Sequence, residues 1–319
     1  ISNIHVSVDL KRFDEDFFSL DTNRLQTSIQ GIQNKYPHFL SRYFEYFSPI
    51  NFMVFQQGKT YAEAVREYYR NIKPLYDAAH EKFKNFNTYK SSFEKNLRYV
   101  KYYYPAFKIP ELLTSVESLN PENADEIYGT VYFQDTLVIS LQMFLGKNFQ
   151  AYDPTQYFDY LRRRFESEYI VPNCIREVSK QIYPDSSQTS VLIDQMIEKG
   201  KQWFIMDHFL PESPDSLKTM FTGEQLRWCT ENEGNIWAAI VKNADLYTID
   251  PGIIQNYIGE APFSEAAGMP EQITPGNIGQ WVGWQIVKKY AGMHKEMTLQ
   301  QILSSPAKLI FRDSNYKPK

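Results

Sequence analysis

From Tyr61 to Tyr104 the chain repeats large apolar and aromatic residues at helical intervals, and this stretch most narrows what it can fold into. Tyr61, Val65, Tyr68, Tyr69 and Ile72 fall at helical spacing before Pro74. Leu75, Ala79, Phe83 and Phe86 continue the pattern, and Phe93, Leu97, Val100 and Tyr104 make a third face ending at Pro105. Residues three and four apart meet on one side of a helix, so the stretch predicts two or three amphipathic helices, each burying its stripe. A tyrosine stripe at this spacing reads as core rather than as a ligand platform.

The character then changes. Ile109 to Leu119 reads as a strand ending in Asn120-Pro121-Glu122-Asn123. Ile127 to Phe133 and Thr136 to Leu141 are rich in β-branched and aromatic residues and are joined by Gln134-Asp135. A small sheet of about three strands belongs here. Residues 4–10, Ile-His-Val-Ser-Val-Asp-Leu, alternate as a half-buried strand. Helices are expected over Leu25–Lys35, from Asp153-Pro154 through Phe165, over Pro172–Ile182 and over Thr189–Phe209. Thr222 with Gln225 is a capping box, Asn277 caps a helix running to Tyr290, and Thr298 starts a last short one. Gly279 and Gly283 share a face of the Asn277 helix and would admit a close neighbour. Arg162, Arg163 and Arg164 read as a solvated face. The expected fold is α+β and mostly helical, with a soft boundary near Lys108 that separates residues 1–108 from 109–319.

A net charge of −4 and a pI near 5.8 argue against nucleic-acid binding, which needs a basic face. Cys174 and Cys229 are too few for a disulfide framework and read as buried thiols. No apolar stretch approaches the roughly 20 residues of a membrane span. The chain starts at Ile1 with neither Met nor signal peptide, as a mature or trimmed chain would. With 23 Tyr, 22 Phe and 5 Trp, it has aromatics enough for a large core or for a glycan-binding surface.

The stretch from Tyr169 to Leu210 is similar in outline to the active-site half of a gluzincin-type zinc peptidase. There one helix carries H-E-x-x-H and a later helix carries a glutamate ligand. Here that register reads Arg176-Glu177-Val178-Ser179-Lys180, followed by Glu198. Two histidines on successive helical turns are needed to reach one metal. The five here, His5, His38, His80, His208 and His294, are too far apart in sequence to supply such a pair. Arg176 and Lys180 would repel zinc. The expectation is a degenerate site without metal or cofactor, in which Glu198 faces Arg176 and Lys180 across two packed helices; the rival reading is ordinary surface charge. No G-x-S-x-G elbow, P-loop or G-x-G-x-x-G occurs, and Cys174 has no histidine near it in sequence.

Five further stretches carry a family likeness. They are Arg12-Phe-Asp with Asp16-Phe-Phe; Leu141-Gln-Met-Phe-Leu-Gly146; Glu168-Tyr-Ile-Val-Pro172; Ala261-Pro-Phe-Ser264; and Pro275 through Val287. The closing Tyr316-Lys-Pro-Lys319 also fits. In these the chain resembles the gliding-motility lipoprotein GldB family of Bacteroidetes envelopes, itself distantly similar to predicted zincin-type peptidases. The resemblance implies an exported protein with an upstream lipid anchor, held at the cell envelope, with a zincin-like core. The leading expectation is therefore a non-catalytic lipoprotein that acts through envelope protein partners in gliding, secretion or envelope machinery. A glycan- or peptide-binding lipoprotein that uses aromatic residues, and a metallohydrolase with unusual ligands, are the alternatives. Glu233, Trp237, Trp281 and Trp284 are the candidate interaction or pocket residues.

Overall fold

The computed structural model describes residues 1, 3–120, 129–243 and 245–318. In chain order the first elements are β1 (Leu10–Arg12), α1 (Phe13–Phe18), α2 (Leu25–Lys35), α3 (Phe39–Arg42), α4 (Ile50–Gln57), α5 (Tyr61–Phe83), α6 (Asn87–Tyr103), β2 (Glu111–Ser115), β3 (Thr130–Phe133) and β4 (Thr136–Ser140). A π turn, Tyr43–Phe47, continues α3, and a 3-10 turn, Leu141–Phe144, follows β4. Then come α7 (Asp159–Arg162), α8 (Ile170–Ile182), α9 (Leu192–Phe209), α10 (Asp215–Thr219), α11 (Gly223–Glu231), α12 (Glu233–Lys242), α13 (Pro251–Ile258), α14 (Ile278–Met293), α15 (Leu299–Ser304) and α16 (Ala307–Ser314). The fold is α+β and mostly helical, as expected.

The chain forms two compact units that interleave in sequence. One comprises Val6–Lys95 and Lys108–Glu177; the other comprises Ile1–His5, Asn96–Phe107 and Val178–Lys319. A single cut at Lys108 would sever β1 from β2, its partner in the sheet.

The first unit holds a four-stranded sheet in the order β1-β2-β4-β3. β1, β2 and β4 are parallel, and β3 runs antiparallel along β4 at the edge. Glu-Leu-Leu-Thr-Ser and Thr-Leu-Val-Ile-Ser are buried at every position after the first, the pattern of strands covered on both faces. The expected three strands lie where the sequence places them, apart from Ile127 and Tyr128, which fall outside the described residues. The first strand is displaced. Residues 4–9 stay irregular because the Val8 amide donates to the Glu94 carboxylate (2.9 Å) rather than to a ladder, and pairing begins only at Leu10. An aromatic core lies beside the sheet, where the Phe13 ring contacts Phe17, Tyr36, Phe39 and Tyr43.

α5 runs unbroken through Pro74. Pro74 and Arg70 are both exposed, so the carbonyl stranded by the missing N–H can meet water. The helix expected from Asp153 shrinks to α7, and its arginines correct the solvated-face reading. Arg162 and Arg163 are half-buried and Arg164 is only 5% exposed. Short helix length is the reason: α7 ends at Arg162, so the three arginines do not fan around one helical surface.

The second unit is built around α9, which is buried on nearly every side and flanked by α14, α16 and α13. The glycine reading of α14 holds and gains a partner. A Cβ on Gly283 would lie 1.7 Å from the Met196 carbonyl oxygen, and one on Gly200 would lie 2.2 Å from the Gly283 carbonyl carbon. Gly279 is tight as well, against Tyr257 and Met196. The Thr222 capping box forms, with Gln225 N–H donating to Thr222 Oγ1 at 3.1 Å. Asn277 does start α14, but at φ 60° and without a side-chain cap bond.

Gly283→Ala should lower stability by about 3 kcal/mol or more, because backbone lies where the methyl must go. Gly292→Ala, in the same helix with open space around it, should leave stability unchanged or raise it by up to about 1 kcal/mol. Chemical denaturation of the two variants checks the contrast.

Candidate functional site

On α8, Arg176 is half-buried, Glu177 is buried and Lys180 is exposed. Glu198 lies midway along α9, and the structure commits both of its carboxylate oxygens. The Tyr183 hydroxyl donates to Oε2 at 2.5 Å and the Lys201 ammonium donates to Oε1 at 2.7 Å. Lys201 also donates to the Ser305 carbonyl at 2.8 Å and to the Tyr183 hydroxyl at 3.2 Å. An ammonium has three N–H donors, and these three contacts use them. Burial lowers the Lys201 pKa, with Glu198 opposing that shift. Burial, then the bond to the Glu198 carboxylate, raises the pKa of Tyr183. Buried Lys201 is thus the centre of a tie between α9, the residue after α8 and the turn after α15. Lys201 was missed in the sequence, although its i,i+3 spacing from Glu198 was a readable signal.

Among the described residues, no group of three or more His, Cys, Asp or Glu is placed to hold a metal ion. Both cysteines are buried, and burial drives their thiol pKa values up, so neither is a poised nucleophile.

The four candidate interaction residues divide into two pairs. Trp281 and Trp284 are 2% and 3% exposed and belong to the core, which corrects their reading as a pocket or platform. The Trp284 indole N–H donates to Asp207 at 2.7 Å and its ring meets Trp203 edge-on. These rings were drawn inward because the glycine face of α14 brings the helix hard against α9. Glu233 and Trp237 do come together, with the C-terminal segment. The Tyr316 hydroxyl donates to Glu233 at 2.7 Å, and Trp237 packs edge-on to Tyr316 and Phe311.

Two buried acids at the carboxyl ends of the parallel strands were not anticipated. Asp14, just after β1, is fully buried and receives two bonds from Arg12, at 3.0 and 2.7 Å. Thr114 adds a third at 2.5 Å, while Arg12 also donates to the Phe83 carbonyl at 3.0 Å. Glu117, just after β2, is equally buried but has a different surround. The Ser140 hydroxyl donates to its Oε1, while Oε2, Ser115 Oγ and Gln142 Nε2 carry no hydrogen bond. Burial pushes the Glu117 pKa up to about 7; the Ser140 hydrogen bond opposes the rise and Asp14 adds to it. Its backbone N–H donates to Gln142 Oε1 at 3.3 Å. The next residues, Ser118 and Leu119, line a cleft of about 350 Å³ with Ile72, Pro74, Leu75 and Phe149. Ligands of open α/β sheets bind outside the carboxyl ends of the strands, and this cleft lies beside that edge.

The first unit also exposes aromatic surface on α4. Ile50 and Met53 face inward, while Phe52 and Phe55 are 59% and 69% exposed on the outside. Tyr61 meets Phe55 edge-on, with ring centroids 6.5 Å apart. The Arg42 guanidinium lies over the Tyr46 and Phe133 rings at 4.9 and 4.8 Å.

A family model described as gliding motility protein GldB matches residues 1–318. No curated protein and no solved structure matches the chain. Among the described residues, no helix is long and apolar enough to cross a membrane.

Lys201→Met should cost about 3 kcal/mol or more, since it leaves the Glu198 carboxylate and the Ser305 carbonyl without their ammonium. Tyr183→Phe should cost only about 1 kcal/mol, because Glu198 keeps Lys201. Equal losses in urea denaturation would refute the assignment of Lys201 as the centre of the tie.

Proposed function

The chain belongs to the gliding motility protein GldB family, and on that premise we propose that it is a non-catalytic cell-envelope lipoprotein acting through protein–protein contacts. The anchor is a lipid attached upstream, and the folded part presents a docking surface to an envelope partner in gliding, secretion or related machinery. The observation that carries this reading is α4. It exposes Phe52 and Phe55 on its outer side while Ile50 and Met53 face inward, and Phe55 adjoins Tyr61. Clustered exposed aromatics of this kind mark interaction surfaces on soluble domains.

The same observation favours a protein partner over a glycan. A sugar-binding site needs aromatic faces lining one groove, whereas these rings project from the outside of a short helix. The cleft beside the sheet is lined by a single aromatic residue, Phe149, and a second cleft, formed by residues 261–269 with Glu271 and Gln272, by Phe263 alone. An unusual metallohydrolase draws no comparable support, since the Glu198 carboxylate is already bonded to Lys201 and Tyr183. A zincin-like core remains a proposal carried by two consecutive helices, α8 with Glu177 and α9 with Glu198.

A photo-crosslinking residue placed at Phe55 in living cells should give one discrete adduct, and the same residue at Gln30, exposed on α2, should give none. Phe52→Ser with Phe55→Ser should abolish the biological activity while shifting stability by less than about 1 kcal/mol. No adduct at Phe55, or full activity in the double variant, would reject the docking role of α4. The zincin register has its own test: Arg176→His with Lys180→His should raise zinc affinity at least tenfold if Glu198 stands as a third ligand. An unchanged affinity removes that part of the reading.

A further inference from the structure

Glu117 is a fully buried acid at the end of β2. Among the described residues, no basic side chain forms an ion pair with it. The titratable groups facing it come from three elements: Asp14 from α1, Tyr43 from the π turn and Tyr68 from α5. Ser115 of β2, Ser140 of β4 and Gln142 of the following 3-10 turn complete its polar surround. Among the described residues, Arg12 is the cation bonded to this group, and it is spent on Asp14 and Glu15. An ionised Glu117 would therefore be a buried carboxylate with no cation bonded to it and Asp14 beside it, which burial strongly disfavours.

The location gives this protonation a structural consequence. Glu117 is followed directly by Ser118 and Leu119, which form part of the 350 Å³ cleft. The Tyr43 hydroxyl donates to the Val116 carbonyl at 2.5 Å and lies 3.1 Å from the Tyr68 hydroxyl. Tyr68 stands one helical turn before Ile72, which lines the same cleft. The segment from Val116 to Leu119 is thus fastened at one end by Glu117 and Tyr43 and forms cleft wall at the other.

We propose that Glu117 is a proton-operated latch on this cleft: as the neutral acid it lies buried between the ends of β2 and β4 without needing hydration, and on ionisation the charge, which the Ser140 hydroxyl alone cannot solvate, draws water into the strand ends and releases the Ser118–Leu119 wall. The step is a proton loss from the Glu117 carboxyl to solvent, and no other bond changes. The titration falls at about 7, so a modest change in pH operates it. Because the folded-state pKa lies above the ordinary carboxylate value, the stabilising contribution is fully present below that ordinary value. It is lost as pH rises through about 7.

The test is ¹³C NMR of the glutamate carboxyls in the full chain, together with amide exchange. In the wild-type protein one carboxyl should titrate near 7, and amides 115–119 and 140–144 should lose protection over the same pH range. Ser140→Ala removes a hydroxyl that favours the ionised form, so it should move that one titration upward and thereby identify it. Glu117→Gln should remove the resonance and the pH-dependent loss of protection. Its folding equilibrium constant should gain on wild type by roughly tenfold or more between about pH 5 and about pH 8. A Glu117 that titrates in the ordinary carboxylate range, or that ionises without any change in exchange at those amides, would overturn the proposal. If Glu117→Gln does not fold, the wild-type and Ser140→Ala titrations still decide it.

Discussion

Backbone-to-backbone packing of α9 on α14 is the constraint from which the second unit follows. With no side chain at Gly200 or Gly283, the helices meet through main chain, and bulk is displaced to either side of the contact line. That brings Trp284 within reach of Asp207 and its ring against Trp203. Asp207 also accepts from Lys218 at 2.8 Å, which ties α10 to the same point. On another side of α9, Lys201 reaches the Ser305 carbonyl beyond α15. The polar ties are therefore secondary to the close approach; each uses a reach that a wider helix spacing would exceed.

Three buried ionisable groups illustrate three solutions to one cost. Asp14 is met by Arg12 on both oxygens and by Thr114 as well. Lys201 stays charged because every N–H has an acceptor, one of them the Glu198 carboxylate. Glu117 has a hydroxyl but no cation, so neutralisation is the remaining route. Asp14 and Glu117 occupy equivalent places, each just beyond the carboxyl end of a parallel strand. What separates them is one neighbouring arginine, bonded to both oxygens of the first and to neither of the second.

Much of the secondary structure was legible because its signals are local. The stripes over Tyr61–Tyr104, the Thr222-to-Gln225 box and the paired glycines of α14 each depend on residues within a few turns, and each appears in the fold. The misreadings have non-local causes. Pairing at Leu10 rather than Ile4 depends on Glu94, more than eighty residues away. The burial of Arg164 depends on α7 stopping early, and the buried character of Trp281 and Trp284 depends on how near α9 comes. Glu117 gave no signal at all, since a lone glutamate after a strand looks the same whether it meets water or Ser140. The GldB likeness was legible for another reason: its stretches are spread from Arg12 to Tyr316, and the matched family model spans the same range.

The distribution of aromatic residues shows where composition stops being informative. A chain so rich in Tyr and Phe can use them for a core or for a surface, and this one uses nearly identical rings for both. Phe13, Phe17, Tyr43 and Tyr68 are buried in mutual contact. Phe52 and Phe55 lie outward on α4, a short helix whose inner face already has Ile50 and Met53. The outer pair keeps most of its apolar area in water. Stability of the isolated chain does not account for that placement. The docking surface proposed for α4 rests on that placement.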